Sequence, residues 1–127
     1  MRKQEIIAVI LVILCTVGTV LAIFTYESSR KIPDTVELLA RTPDRGNWSP
    51  ILIRAKKDQE ITLIIRNVDI VSHGFYLPSF DVMVREIKAG EIETVTFTPD
   101  EVGKHPFYCS VWCSDYHMHM RGDLVVE

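Results

Sequence analysis

The stretch Cys109-Ser110-Val111-Trp112-Cys113-Ser114-Asp115-Tyr116-His117-Met118-His119-Met120 sets two thiols, an imidazole and a thioether at the spacing C-x3-C-x3-H-x2-M. Soft sulfur combined with imidazole is the donor set that copper prefers. A trigonal single-copper site needs one Cys, one downstream His and a weak axial Met, with a second His arriving from an earlier strand. His73, 36 residues before Cys109, is the candidate for that second His. The additional thiol changes the reading. Two cysteines four residues apart can each bridge a pair of metal ions, and each ion then needs only one imidazole. Three other uses of the pair stay open: a disulfide outside the cytoplasm, a thiol redox pair of the kind carried on a βαβ unit, and structural zinc on His73, Cys109, Cys113 and His117. The sequence has no βαβ pattern, and zinc would leave Met120 without a role.

Working outward, the residues from Trp48 onward form short alternating runs separated by turn signals. Ile51 to Lys56 places Ile51, Ile53 and Ala55 on one face, and Glu60 to Arg66 does the same with Ile61, Leu63 and Ile65. Further strands are expected at His73 to Leu77, Val82 to Ile87, Ile92 to Phe97, Lys104 to Tyr108 and Asp123 to Glu127. Seven or so short strands of this kind predict an all-β antiparallel sandwich of about 80 residues. The segment from Tyr26 to Asn47 is polar and mixed. It reads as a stalk or outer loop in which only Val36 to Ala40 has the makings of a short helix.

The other end of the chain is different in kind. Residues Ile6 to Phe24 carry no charged side chain over 19 positions, which as a helix is about 28 Å, close to a bilayer's hydrocarbon thickness. A cleaved signal peptide has a shorter apolar region ending at a small-residue site, and Phe24-Thr25-Tyr26-Glu27 has no such site. The reading is an uncleaved single-pass anchor. Arg2 and Lys3 at its start place the amino terminus inside and the domain outside. The chain thus divides into an anchor at 1–25, a linker at 26–47 and a β domain at 48–127. Of 127 residues, 47% are hydrophobic, and 17 of these lie in the anchor at 1–25. Without Arg2, Lys3 and Glu5 there remain 12 basic and 16 acidic side chains, a balance that argues against nucleic-acid binding.

The ligand pattern His73, Cys109, Cys113, His117 and Met120 resembles that of the CuA domain, a cupredoxin found in cytochrome c oxidase subunit II and at the carboxyl end of nitrous oxide reductase. The likeness covers roughly Trp48 to Glu127. Trp48-Ser49-Pro50 before an alternating strand, Asp69-Ile70-Val71-Ser72-His73-Gly74-Phe75 around the first His, and Gly103-Lys104-His105-Pro106-Phe107-Tyr108-Cys109 leading to the first Cys all resemble the corresponding family segments.

The resemblance implies a cupredoxin Greek-key β-sandwich holding a dinuclear copper (CuA) centre. In it Cys109 and Cys113 bridge both coppers, His73 and His117 bind one each, Met120 is a weak axial ligand, and the Val111 carbonyl weakly faces the other metal. It implies one-electron relay through a mixed-valence pair, with an electron-transfer module rather than a complete enzyme. The partners implied are the catalytic subunit of a haem-copper oxidase or related reductase, and a cytochrome c or small copper protein as donor. The location implied is the cytoplasmic membrane, with the domain in the periplasm. Two features depart from the oxidase pattern: Val111 stands where many carry Glu, so a magnesium ligand is missing, and there is one apolar helix instead of two. The alternative is a stand-alone anchored copper protein that shuttles electrons or handles copper without a catalytic partner. His105, His119, Met83 and Met118 are expected to be packed or rim residues and not ligands.

Overall fold

The structure, a computed structural model, describes residues 2–29 and 34–127. Two compact units divide at Lys31 and Ile32. In the first, helix α1 runs Lys3–Ser29, and its stretch Lys3–Tyr26 is long and apolar enough to cross a membrane. None of that stretch is buried by protein, although a helix that is apolar on every side is one that hides from water in a core or in a membrane. The hydroxyls of Thr16, Thr19 and Thr25 donate to carbonyls three or four residues earlier. Those polar groups are therefore satisfied within the helix, a condition that hydrocarbon surroundings impose.

The described residues of the second unit form eight strands: β1 Thr35–Ala40, β2 Leu52–Ala55, β3 Ile61–Asn67, β4 His73–Leu77, β5 Val82–Ile87, β6 Ile92–Phe97, β7 Gly103–Tyr108 and β8 Arg121–Val126. They form a three-stranded sheet in the order β1-β3-β6 and a five-stranded sheet in the order β2-β8-β7-β4-β5. All seven expected strands are present within a residue or two. Two expectations change. The sandwich is mixed and not purely antiparallel, because β1 pairs with β3 and β2 with β8 in parallel. The expected short helix at Val36 to Ala40 is strand β1.

The reason for that second change lies in tertiary pairing. Glu37-Leu38-Leu39-Ala40 has good helix formers, but five residues cannot sustain a helix alone. Paired with β3 from Thr35↔Thr62 to Ala40↔Asn67, the segment buries Leu38 and Ala40 completely on alternate positions. Glu37 meets Arg66 across the pair at 2.8 Å. The segment expected to be a stalk thus contributes one strand of the sandwich.

Ile61, Leu63 and Ile65 are buried as the alternation predicts, as are Ile53 and Ala55, whereas Ile51 is 56% exposed because it lies before the start of β2. At the centre of the core, Trp48 meets Phe75 and Phe107 edge-on with ring centroids 5.8 Å apart in each case, and the two Phe rings lie 5.4 Å apart. Phe75 is on β4 and Phe107 on β7, two residues from His73 and Cys109 respectively, so this aromatic cluster sets the floor on which those side chains stand.

Gly122 on β8 is packed too tightly to accept a side chain. A Cβ there would lie 2.3 Å from Phe107 Cζ and 2.6 Å from the Ile51 carbonyl oxygen. The replacement Gly122→Ala is expected to destabilise the β domain by about 1–3 kcal/mol, read as a lowered thermal midpoint in the near-ultraviolet circular dichroism of the full chain in detergent. An unchanged midpoint would contradict the packing described.

Candidate metal centre

Three segments meet at one end of the five-stranded sheet. His73 opens β4, Cys109 directly follows β7, and Met120 directly precedes β8. The Cys109 N–H donates to the Met120 carbonyl at 3.0 Å and so closes the loop between them. Inside it, a 3-10 turn over His117–His119 brings His117 and Met120 back toward the cysteines.

The donor atoms converge. Cys109 Sγ lies 3.8 Å from His73 Nδ1 and 3.2 Å from the Val111 carbonyl oxygen. Cys113 Sγ lies 3.6 Å from His117 Nδ1 and 3.7 Å from Met120 Sδ. The two sulfurs are 4.0 Å apart, far beyond the roughly 2.05 Å of a disulfide, and both thiols are free. Each imidazole thus comes within 4 Å of one sulfur, with Met120 against Cys113 and the Val111 carbonyl against Cys109. His73, Cys109 and Cys113 place their donor atoms within 4.8 Å of one another, with His117 outside that trio. All six residues singled out in the sequence are thus brought to one place.

Burial shapes the electrostatics. His73 is fully buried and Cys109 and Cys113 are buried beside it. Burial, reinforced by the neighbouring Cys109, pushes the Cys113 thiol up to about 12. Burial also lowers the pKa of His73, against the opposing pull of Asp69, which keeps the imidazole neutral and able to act as a ligand. Asp69 is held below its ordinary value. Its burial acts to raise it, but the backbone N–H groups of Thr42 and Ile70 and the contact with His73 together outweigh that.

Several residues that hold the site were not singled out from the sequence. Asn67 donates from Nδ2 to the carbonyls of Val71 at 2.7 Å and Ile87 at 2.8 Å, and its Oδ1 accepts from the Asp69 N–H at 2.9 Å. It thereby fixes the loop that leads to His73. The Gly74 N–H points at Cys109 Sγ at 3.5 Å. A Cβ at Gly74 would lie 2.2 Å from Ser110 Oγ and 3.0 Å from the Arg85 carbonyl oxygen, so only glycine lets the two ligand loops approach this closely. The pattern Asn-x-Asp four residues ahead of a histidine was the signal available in the sequence, since side chains of this type cap their own turns.

The remaining candidates lie elsewhere. His105 is buried against Phe80, with Nε2 3.0 Å from the Glu101 carbonyl oxygen. The side chains of Met83 and Met118 are exposed, as is His119, whose carbonyl accepts from Asn47 Nδ2. Trp112 is 68% exposed with its ring 5.6 Å from that of His117, whereas Trp48 belongs to the core.

A family model described as a cupredoxin-like domain matches residues 13–126. The nitrous-oxide reductase of Ralstonia nicotianae is 34% identical over 96 residues, which are 73% of this chain and 14% of that protein. Cytochrome c oxidase subunit 2 of Thermus thermophilus is 30% identical over 80 residues, 63% of this chain and 58% of that protein. Among solved structures, the periplasmic domain of subunit II of the cytochrome oxidase of Bradyrhizobium japonicum shares the fold, with a TM-score of 0.62 at 18% identity over 77% of this chain and 86% of that one. The chain spans only 12 to 15% of the length of the nitrous-oxide reductases that it matches. Two β-sheets, one N-terminal apolar helix and a match that runs almost from end to end place this chain in the cupredoxin-like family.

Proposed function

We propose that this chain is a membrane-anchored electron-transfer protein whose β domain holds a dinuclear copper centre of the CuA type, and that it serves as the subunit II-like component of a haem-copper oxidase or related respiratory reductase. One observation carries the reading. Two buried thiols 4.0 Å apart have two imidazoles, a thioether and a backbone carbonyl each within 4 Å of one of the sulfurs. A single zinc ion takes four donors, whereas here a second imidazole, a thioether and a carbonyl stand beside the converging trio of His73, Cys109 and Cys113, more donors than one ion needs.

Bound copper would supply the one-electron redox couple. The protein's part is to hold His73, Cys109, Cys113, His117, Met120 and the Val111 carbonyl in nearly fixed positions and to keep water from the sulfurs. A rigid donor set changes little when an electron arrives, and small reorganisation makes transfer fast at small driving force. Residues 1–25 serve as the anchor. The linker proposed at 26–47 gives up β1 to the folded domain, which otherwise covers 48–127. The domain faces the periplasm, takes electrons from a cytochrome c or small copper protein, and passes them to a haem-bearing catalytic subunit. The exposed Trp112 beside His117 fits a point of electron uptake.

The deciding experiment is copper loading of the full chain in detergent. Two coppers per chain are expected, with electron paramagnetic resonance hyperfine structure from two equivalent nuclei; one copper, or zinc alone, overturns the reading. Cys113→Ser should abolish that spectrum and His119→Ala should leave it intact. Gentle extraction from the membrane tests the partner: a stable haem-containing complex is expected, and a haem-free single chain would favour the stand-alone role.

The raised Cys113 pKa gives a pH dependence with a definite sign. In the copper-free protein the group binds its proton more tightly than in the unfolded chain, with a pKa of about 12 against 9.0. This contributes stability that is present below pH 9.0 and is lost as the pH rises toward about 12. Copper must displace the same proton. Its affinity, measured by chelator competition, should therefore rise by about tenfold per pH unit for each proton released. An affinity independent of pH between 6 and 8 would contradict thiol ligation.

Gly74→Ala should weaken copper binding by about tenfold or more, because the added Cβ pushes the Cys109 to Val111 loop away from β4. Unaltered affinity in the same competition assay would show that the close approach at Gly74 is not needed.

A further inference from the structure

We propose that Arg45 is a positioning residue for the metal centre, acting through Asp69 to set how strongly the Nε2 proton of His73 is held and hence how electron-rich its Nδ1 is. The inference rests on the copper reading above and adds to it a residue from the segment before Trp48.

With His73 Nδ1 facing Cys109 Sγ, the ring's proton belongs on Nε2. That atom is fully buried and has no hydrogen-bond partner of good geometry. The nearest acceptor is Asp69 Oδ2 at 3.4 Å. Asp69 is itself shared among several donors. Oδ2 accepts from the Thr42 N–H at 2.8 Å, and Oδ1 accepts from the Ile70 N–H at 2.8 Å and from Arg45 Nη1 at 3.2 Å. His73 is therefore the most weakly served of four donors on one carboxylate. Two of its rivals are backbone N–H groups, which stay in place whatever side chain other than proline stands there. Arg45 is a side chain, 53% exposed against 2% for Asp69, and it is the adjustable member of the set.

The backbone holds Arg45 in place. It ends a 3-10 turn over Pro43–Arg45, in which its N–H donates to the Thr42 carbonyl at 2.9 Å. Gly46 follows with φ 124 and Asn47 with φ 60, conformations that suit these two residue types. Asn47 Nδ2 then donates to the His119 carbonyl at 3.2 Å, so a single short segment grips both ligand-bearing loops. A surface cleft of about 160 Å³ lined by Thr42, Arg45, Asp69 and Cys113 adjoins the site, and a shorter side chain at position 45 would open onto solvent without leaving a core cavity. The two histidines are unequal in this respect: among the described residues no carboxylate pairs with His117.

A carboxylate that binds the far side of a ligating imidazole raises its basicity. Arg45→Gln should free Asp69 to bind His73 more firmly, and so lower the midpoint potential of the copper-loaded full chain. Asp69→Asn should raise it, and Arg45→Lys should fall between wild type and Arg45→Gln. Because the Arg45 charge also acts through space, the second readout is the His73 Nε2 proton in the copper-free full chain, followed by nuclear magnetic resonance. Arg45→Gln should move it downfield and slow its exchange with solvent, and it should have no such effect in the Asp69→Asn background. A proton resonance and exchange rate unchanged by Arg45→Gln, or a potential shift of equal size in both backgrounds, overturns the proposal. Should Asp69→Asn fail to fold, the downfield shift in Arg45→Gln alone decides, since it reports a shorter hydrogen bond from Nε2 to Asp69, and no shift overturns the proposal. Copper stoichiometry on the same samples tests the dinuclear reading separately, because the copper-free measurement does not depend on it.

Discussion

Two thiols held 4.0 Å apart in the interior, close enough to reach a common metal ion and too far apart to bond, are the constraint around which the β domain is organised. Free thiols buried together gain little by themselves, and each needs something to keep it in place. Here the loop from Cys109 to Met120 is closed by a backbone hydrogen bond at its base, its first cysteine is met by the Gly74 N–H, and the floor beneath is the Trp48, Phe75 and Phe107 cluster. Each restraint comes from a different part of the chain. The positions of the sulfurs therefore depend on the whole sandwich being formed.

The same economy explains the mixed topology. A small two-sheet domain has a thin core, and every additional strand that covers it matters. β1 closes one sheet beside β3, and the residues that follow it continue across the end of the sandwich to the metal site. Thr42 and Arg45 bind Asp69 there, and Asn47 binds the His119 carbonyl. A stretch that carries few apolar residues thus does two jobs, covering the core with its first half and bracing the ligand loops with its second.

Restraint of this kind is what the proposed electron relay would require. The loops that bear His73 and Cys113 are tied by side-chain to backbone hydrogen bonds from Asn67, Asp69 and Asn47 rather than by packing alone. The exposed side chains of Trp112, Tyr116 and Met118 lie on the ligand loop itself. A stiff interior and an apolar outer rim in the same loop suit a site that keeps its geometry while meeting a partner.

The sequence by itself determined the apolar helix, the seven expected strands and the candidate set of sulfur and imidazole donors. Each of these is written in local pattern: an uncharged run of membrane length, alternate burial in β3, or the spacing of Cys109, Cys113, His117 and Met120. Only the tertiary structure decided that Val36 to Ala40 is a strand, that Ile51 is outside the core, and that Thr42, Arg45, Asn67 and Asp69 attend the ligands. A five-residue segment rich in helix formers has no stable conformation until β3 offers it hydrogen bonds and a face to bury. A carboxylate 24 residues from an arginine has no partner until the fold brings the two together. Ligand type is a property of residues, and how firmly a ligand is held is a property of what the chain folds against it.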